Sequence, residues 1–215
     1  MIRGVPRQSG RKNLMHPIAK PEQDSPHSLA NRVGRVVWAG VYRVLVWPSP
    51  GWAGAWRNVV YRVMGAEMHA TARIDATARV WLPANLTMRE GSRVEGLADI
   101  YNVVRITIGA QSRVGKYSFL CAASHDFENP TQPLTTAPIT LGDGVMLGED
   151  VFVAPGVTIA ENVVVGARSS VLTSDLPARH VCAGSPARVV RSIRLGDNVE
   201  GAEGLQRRMG VLGDG

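Results

Sequence analysis

Cysteine is scarce in this chain of 215 residues: Cys121 and Cys182 are the two present. They have no metal-ligand spacing and are too few for a disulfide framework. That excludes a stapled scaffold and leaves both as packing residues suited to a reducing compartment. Histidine is also rare, and His125 is the one histidine between residues 70 and 179. A zinc hydratase site, which needs three histidines meeting at one metal, is therefore disfavoured, and no metal is expected. Long apolar runs are missing too. The most apolar stretch near the front is interrupted by Arg32, Arg35 and Arg43, which argues against a membrane span. No apolar core follows the early basic residues before residue 28, so no signal peptide is read. A cytoplasmic protein is expected, peripheral on the inner face of a membrane at most. Either Met1 or Met15 could serve as the start. Acidic residues are absent between Pro26 and Gly65. Ten of the 24 Lys/Arg and two of the 18 Asp/Glu lie in residues 1–64, so the front carries +8 and the remaining 151 residues −2. The basic character belongs to the front of the chain. No nucleic-acid partner is expected.

What is present is a period of six. Leu141, Leu147, Val153, Ile159, Val165 and Val171 recur at that step, and Val145, Val151, Val157, Val163 and Ser169 sit four places after the first five. Six fits neither an amphipathic helix nor a simple alternating strand. It fits a coil with three flat faces, each a short strand plus a corner, with both series pointing inward. Gly142, Gly148 and Gly166 follow three of the aliphatic positions and are expected where a corner strains the backbone. The rhythm extends back through Met68, Ile74 and Val80; Met88, Val94 and Ile100; and Ile108, Val114 and Leu120. Small residues accompany it at Ala72, Ala78, Ala84, Ser92, Ala98, Ser112, Ser118 and Ser124. Two-residue shifts between these sets predict slightly wider coils. After Leu120 the step breaks until Leu141, which predicts an inserted loop at 126–140 with His125 at its start.

The chain thus divides into a disordered basic segment 1–26, an amphipathic helical segment 27–65, a β-solenoid 66–191 and a flexible tail 192–215. Within the helical segment, Val33, Val37, Trp38, Val41, Val44 and Leu45 fill one arc of a helical wheel, with Arg32, Arg35 and Arg43 opposite. A second helix is expected from Trp52 to Met64, ending at Gly65. Trp38, Trp47, Trp52 and Trp56 all fall in this segment. Two uses fit it: a cap over the open end of the solenoid, or a helix lying on an anionic membrane surface. The two are compatible.

Among the histidines, His125 alone stands where a coil meets a loop. An imidazole there suits a general base, because histidine titrates near neutral pH. The plainer reading is a corner histidine with a structural role.

The hexapeptide rhythm, Ser-His-Asp at 124–126, the loop that follows and the ending AGSPARVVR (183–191) resemble the hexapeptide-repeat acyltransferases. WLPANL (81–86), DIYNV (99–103), LCAASHD (120–126) and VGARSSV (165–171) are similar to the colanic-acid-biosynthesis acetyltransferase branch. The resemblance implies a mainly β fold, a left-handed parallel β-helix, assembled as a homotrimer with sites between subunits. It implies His125 as base and a backbone N–H near Gly148 and Glu149 for the oxyanion. It also implies acetyl-CoA as co-substrate, held near Ala167, Thr173 and Ser174 with Arg188 and Arg191 on its phosphates. Asn102 and Asp126 are candidates for holding the acceptor; Asn102 could equally bond within a turn. Two departures stand out: Met146 where the family usually has tryptophan, and GARSSVLTSD (166–175), one residue longer than usual. The activity implied is acetyl transfer to a hydroxyl of a sugar or polysaccharide precursor, free or carried on a lipid. A drug acetyltransferase of the same fold and a non-catalytic structural solenoid remain as alternatives.

Overall fold

The computed structural model describes residues 29–193. The expected segment 1–26 and the tail beyond 193 lie outside the described residues. The architecture is the expected one: mainly β, a left-handed parallel β-helix with helices in front. Five full coils wind through three faces. The first face stacks Glu67–Met68, Leu86–Met88, Ile106–Ile108, Ile139–Leu141 and Thr158–Ile159. The second stacks Arg73–Ile74, Arg93–Val94, Arg113–Val114, Met146–Leu147, Val164–Val165 and His180–Ala183, with Arg188–Ser192 antiparallel on its edge. Ser192, expected in the tail, is therefore the last residue of that edge strand. The third face stacks Arg79–Val80, Asp99–Tyr101, Phe119–Cys121, Phe152–Val153 and Ser170–Val171.

The aliphatic series is the core. Leu141, Leu147, Val153, Ile159, Val165 and Val171 are all buried, as are their counterparts in the earlier coils. Each contributes about 1.5–3 kcal/mol of transfer free energy. The small inward positions are buried as well, except Ala84, which is exposed, and Ser124, which is half-buried. Both exceptions sit at the corner between the third and first faces, where extra residues shift the rhythm. The buried serine hydroxyls are satisfied: Ser112 Oγ donates to Gly142 O (2.7 Å) and Ser118 Oγ to Gly148 O (3.0 Å), joining coils across the insertion.

The glycines following the aliphatic positions serve a different purpose from the one expected. Gly142 and Gly148 are not in the left-handed region; they allow adjacent coils to approach. A Cβ on Gly142 would lie 2.9 Å from the Glu161 nitrogen, and one on Gly148 2.7 Å from the Ala167 nitrogen. The left-handed corner positions fall two residues later, at Gly144 (φ 68°) but also at Asp150, Asn162 and Arg168 (φ 57°, 55° and 58°). Stacking, rather than backbone strain, dictates glycine at 142 and 148.

The helical segment forms α1 (Leu29–Val41), continued by a π-helical turn Tyr42–Val46, and α2 (Gly54–Val63). α2 ends in a Schellman arrangement: Gly65 takes φ +95° and the Ala66 N–H bonds Tyr61 O (3.0 Å). Adjacent coils exchange N–H···O=C bonds in both directions, as in Arg73 N to Ser92 O and, further along, Arg168 N to Glu149 O. Where a first-coil N–H points to the second coil, as at Asp75 and Trp81, the carbonyl of the same peptide unit (Ile74, Val80) faces the open end with no coil to meet it. The helices supply donors instead. Trp38 Nε1 reaches Val80 O (2.8 Å), Tyr42 OH reaches Ala76 O (3.0 Å) and Arg57 Nε reaches Ile74 O (2.8 Å). Asn58 Nδ2 bonds both His69 O (2.8 Å) and Ala72 O (3.1 Å). Trp38, Val46, Val60 and Tyr61 are buried over the first coil. The cap is real, but of the expected apolar arc it uses only one border, Trp38 and Val41, together with Tyr42 beside them. Val33, Val37 and Val44, on the arc a cap would be expected to bury, face outward.

Candidate active site

One corner of the prism grows and the other two do not. Equivalent residues on the first face are Glu67, Thr87, Thr107, Thr140 and Thr158, so spacings of 20, 20, 33 and 18 separate successive coils. The extra residues enter between the third face and the next first face: 81–85, then 102–105, then 122–138. The first two are the wider coils predicted by the two-residue shifts. The third was expected as a loop at 126–140. It is a hairpin, Ala123–His125 paired antiparallel with Leu134–Thr136, and Ile139 and Thr140 already belong to the next coil.

His125 ends the rising arm, opposite Leu134, and is exposed. Its Nδ1 lies 2.7 Å from Gln132 O. A carbonyl only accepts, so Nδ1 is the donor, and in the neutral ring the lone pair is on Nε2. Gln132 takes φ +43° in this turn. Asp126 folds back locally: its Oδ1 accepts the Glu128 N–H (3.0 Å) in an Asx turn, and its own N–H reaches Pro133 O (3.1 Å). The hairpin tip is thus held by its own bonds.

Asn102 lies at the same corner one coil earlier, fully buried. Its Nδ2 donates to Leu82 O (2.7 Å) and its Oδ1 accepts the Leu82 N–H (3.1 Å). Asn85 Nδ2 in turn bonds Val103 O (2.8 Å). Both ends of the Asn102 amide bond the Leu82 backbone, the turn-bonding alternative of its two readings, and they fix the widened corner one coil before the hairpin. Thr173 and Ser174 leave the third face of the last coil at this corner too. Ser174 Oγ accepts the Thr158 N–H (2.8 Å).

Gly148, Glu149 and Ala167 stand elsewhere, at the corner between the second and third faces, one coil stacked on the next. The Gly148 N–H is consumed by Val165 O (2.8 Å), while Glu149 O accepts the Arg168 N–H (2.8 Å). Among the described residues the Glu149 N–H meets no acceptor. Arg188 and Arg191 are exposed on the edge strand of the second face, and among the described residues neither has an acidic partner. Met146, the departure from the family pattern, is exposed on that same face.

An aromatic ladder escaped the sequence reading. On the outer side of the third face, Trp81 meets Tyr101 (ring centroids 4.8 Å apart), Tyr101 meets Phe119 (6.3 Å) and Phe119 meets Phe152 (5.9 Å). The Arg35 guanidinium sits 4.6 Å from the Trp81 ring centre. Between α1 and this face lies a cavity of about 300 Å³ lined by Arg35, Trp38, Tyr42, Arg79, Trp81 and Asp99, among others. Burial pushes the Asp99 carboxyl above its ordinary range, against the opposing pull of Arg79 (3.5 Å). The signal was present in sequence: Trp81 and Tyr101, like Phe119 and Phe152, are separated by one coil's spacing.

No protein-family model matches the chain. It is 40% identical over 154 residues, 72% of its own length and 84% of the other's, to an Escherichia coli K12 protein provisionally named the colanic acid biosynthesis acetyltransferase WcaF. The galactoside O-acetyltransferase of the same organism is 36% identical over 91 residues, 41% of this chain and 44% of that one. Among solved structures, a hexapeptide-repeat acetyltransferase of Vibrio cholerae in complex with acetyl coenzyme A superposes with a TM-score of 0.72. That match is 24% identical and covers 81% of this chain and 94% of the other, which speaks for the fold. With the solenoid, the hairpin at its growing corner and this degree of identity over most of a relative's length, the chain belongs to the hexapeptide-repeat acetyltransferases, in the branch that includes the colanic acid biosynthesis enzymes.

Proposed function

We propose that the protein transfers an acetyl group from acetyl-CoA to a hydroxyl of a sugar or polysaccharide precursor, with His125 as general base. The observation that carries this reading is the His125–Gln132 hydrogen bond, which holds Nδ1 as a donor and, among the described residues, leaves Nε2 of the exposed side chain without a partner. In this reading Nε2 takes the acceptor's hydroxyl proton as the oxygen attacks the thioester carbonyl. The Glu149 N–H stabilises the tetrahedral oxyanion. The imidazolium returns the proton to the departing thiolate, so one C–O bond forms, one C–S bond breaks and His125 ends neutral.

Support for the donor site is physical. At Gly148 and Ala167 the backbone is unshielded by large side chains, which suits contact with an extended pantetheine-like arm. Arg188 and Arg191 offer exposed guanidinium groups, without an acidic partner among the described residues, for phosphate. The residues also argue for assembly. His125 issues from the corner between the third and first faces, and Glu149 and Ala167 from the corner between the second and third. Two corners of one prism point apart, so a site using both takes them from neighbouring copies, and a homotrimer closes three such sites. The names of the relatives point to saccharide acceptors.

Thiol release from acetyl-CoA with a panel of sugars tests the reading. Wild type should turn over with at least one saccharide, and His125→Ala should lose about 10²–10⁴-fold. Near-wild-type turnover in that variant would overturn the mechanism. A stable, active monomer in light scattering would remove the shared site.

A further inference from the structure

The cap explains one side of α1 and leaves the other without a structural task. Trp38, Tyr42 and Val46 make the contacts with the solenoid. On the opposite side Val36 is 74% exposed, Val44 69% and Trp47 61%, with Val33 and Val37 also exposed between them. α2 repeats the arrangement: Arg57, Asn58 and Tyr61 face inward, while Val59 and Val63 face solvent. Trp52, in the connection between the helices, is 88% exposed. Aliphatic side chains concentrated on the outside of two helices are unusual in a soluble surface and mark a contact.

Charge narrows what that contact is. Arg32 and Arg43 are exposed on one border of the α1 face, Arg62 is exposed on α2, and no acidic residue lies between Pro26 and Gly65. A second copy docking face to face would set these arginines against each other, with no carboxylate from the same segment to answer them. An anionic bilayer answers them with phosphate, accepts valine side chains at any contour, and suits indoles at the headgroup level. No described helix is long and apolar enough to cross a membrane, so the helices would lie in the surface plane.

We propose that the outward face of α1 and α2 docks the protein on an anionic lipid bilayer, with the valines entering the acyl boundary and Arg32, Arg43 and Arg62 on lipid phosphates. The docking stands independently of the acyl-transfer mechanism. It would leave the solenoid projecting from the surface, so that an acceptor carried on a lipid lies within reach.

The test is co-sedimentation of the full chain with vesicles of phosphatidylglycerol and phosphatidylcholine, against phosphatidylcholine alone. Binding is expected to the anionic vesicles at low salt and to weaken as salt is raised. It should fall about fivefold for each of Arg32→Gln and Arg43→Gln, and tenfold or more in Val36→Asp/Val37→Asp, whose sites are exposed. Absence of sedimentation at low salt overturns the proposal, as does equal binding to neutral vesicles. Undiminished binding of the valine variant with native circular dichroism also overturns it, by assigning the lipid contact to residues outside this face. A change of oligomeric mass in that variant would assign the face to a second copy instead. Should the valine variant fail to fold, the arginine variants carry the same test, and unchanged binding in them overturns the proposal.

Discussion

Two corners of the same solenoid have opposite characters. At the corner between the second and third faces, coils stack so closely that Gly115, Gly148 and Ala167 touch through backbone. A Cβ on Gly115 would overlap the Gly148 carbonyl. At the corner between the third and first faces the chain lengthens in three successive coils and ends in a hairpin that carries His125. The walls joining them hardly vary, because each is a parallel ladder over a buried aliphatic row. A repeat that must stack at every coil has no freedom along its faces; variation is confined to corners, where added residues leave the ladder without interrupting it.

This contrast can be broken from either side. The largest effect belongs to the grown corner: His125→Ala should lower turnover about 10²–10⁴-fold with an unchanged melting curve, because the side chain is exposed and its one bond among the described residues is to a loop carbonyl. A matching loss of stability would mean the hairpin is structural. At the tight corner, Gly115→Ala should cost about 1–3 kcal/mol in chemical denaturation, since the obstacle is backbone and cannot rotate away. A neutral result would show that the coils can separate there. Asn102→Ala should cost about 1–3 kcal/mol, because the Leu82 N–H and C=O lose their partners in a buried corner. If it instead raised KM for the acceptor without destabilising the fold, Asn102 would face substrate after all.

The smallest effect concerns Asp99. Its carboxyl pKa is raised by burial, with Arg79 opposing. A folded-state pKa above the unfolded value means the folded protein holds the proton more firmly. The contribution to stability is then most favourable below the unfolded pKa and is lost as pH rises through the folded one. Asp99→Asn should therefore flatten this part of the stability–pH profile and slightly stabilise the protein near neutrality. A destabilised variant at neutral pH would show that the Arg79 ion pair outweighs burial.

The sequence by itself determined the solenoid. A six-residue aliphatic period admits few other structures, and its two-residue shifts translate directly into coil spacings of 20 against 18. It also located the insertion beside His125, because an insertion is a break in the count. Tertiary structure decided what counting cannot express. Gly142 and Gly148 are required by the neighbouring coil, not by their own dihedral angles. Asn102 turns inward because the carbonyl and N–H of Leu82, twenty residues earlier, lie beneath it. The Trp81–Tyr101 and Phe119–Phe152 contacts exist because coil registry places distant residues side by side. For α1, amphipathicity identified an apolar arc but not which border of it the cap would use. That choice fell to the row of unpaired carbonyls on the first coil: indole, phenol and guanidinium donors can satisfy them and valine cannot.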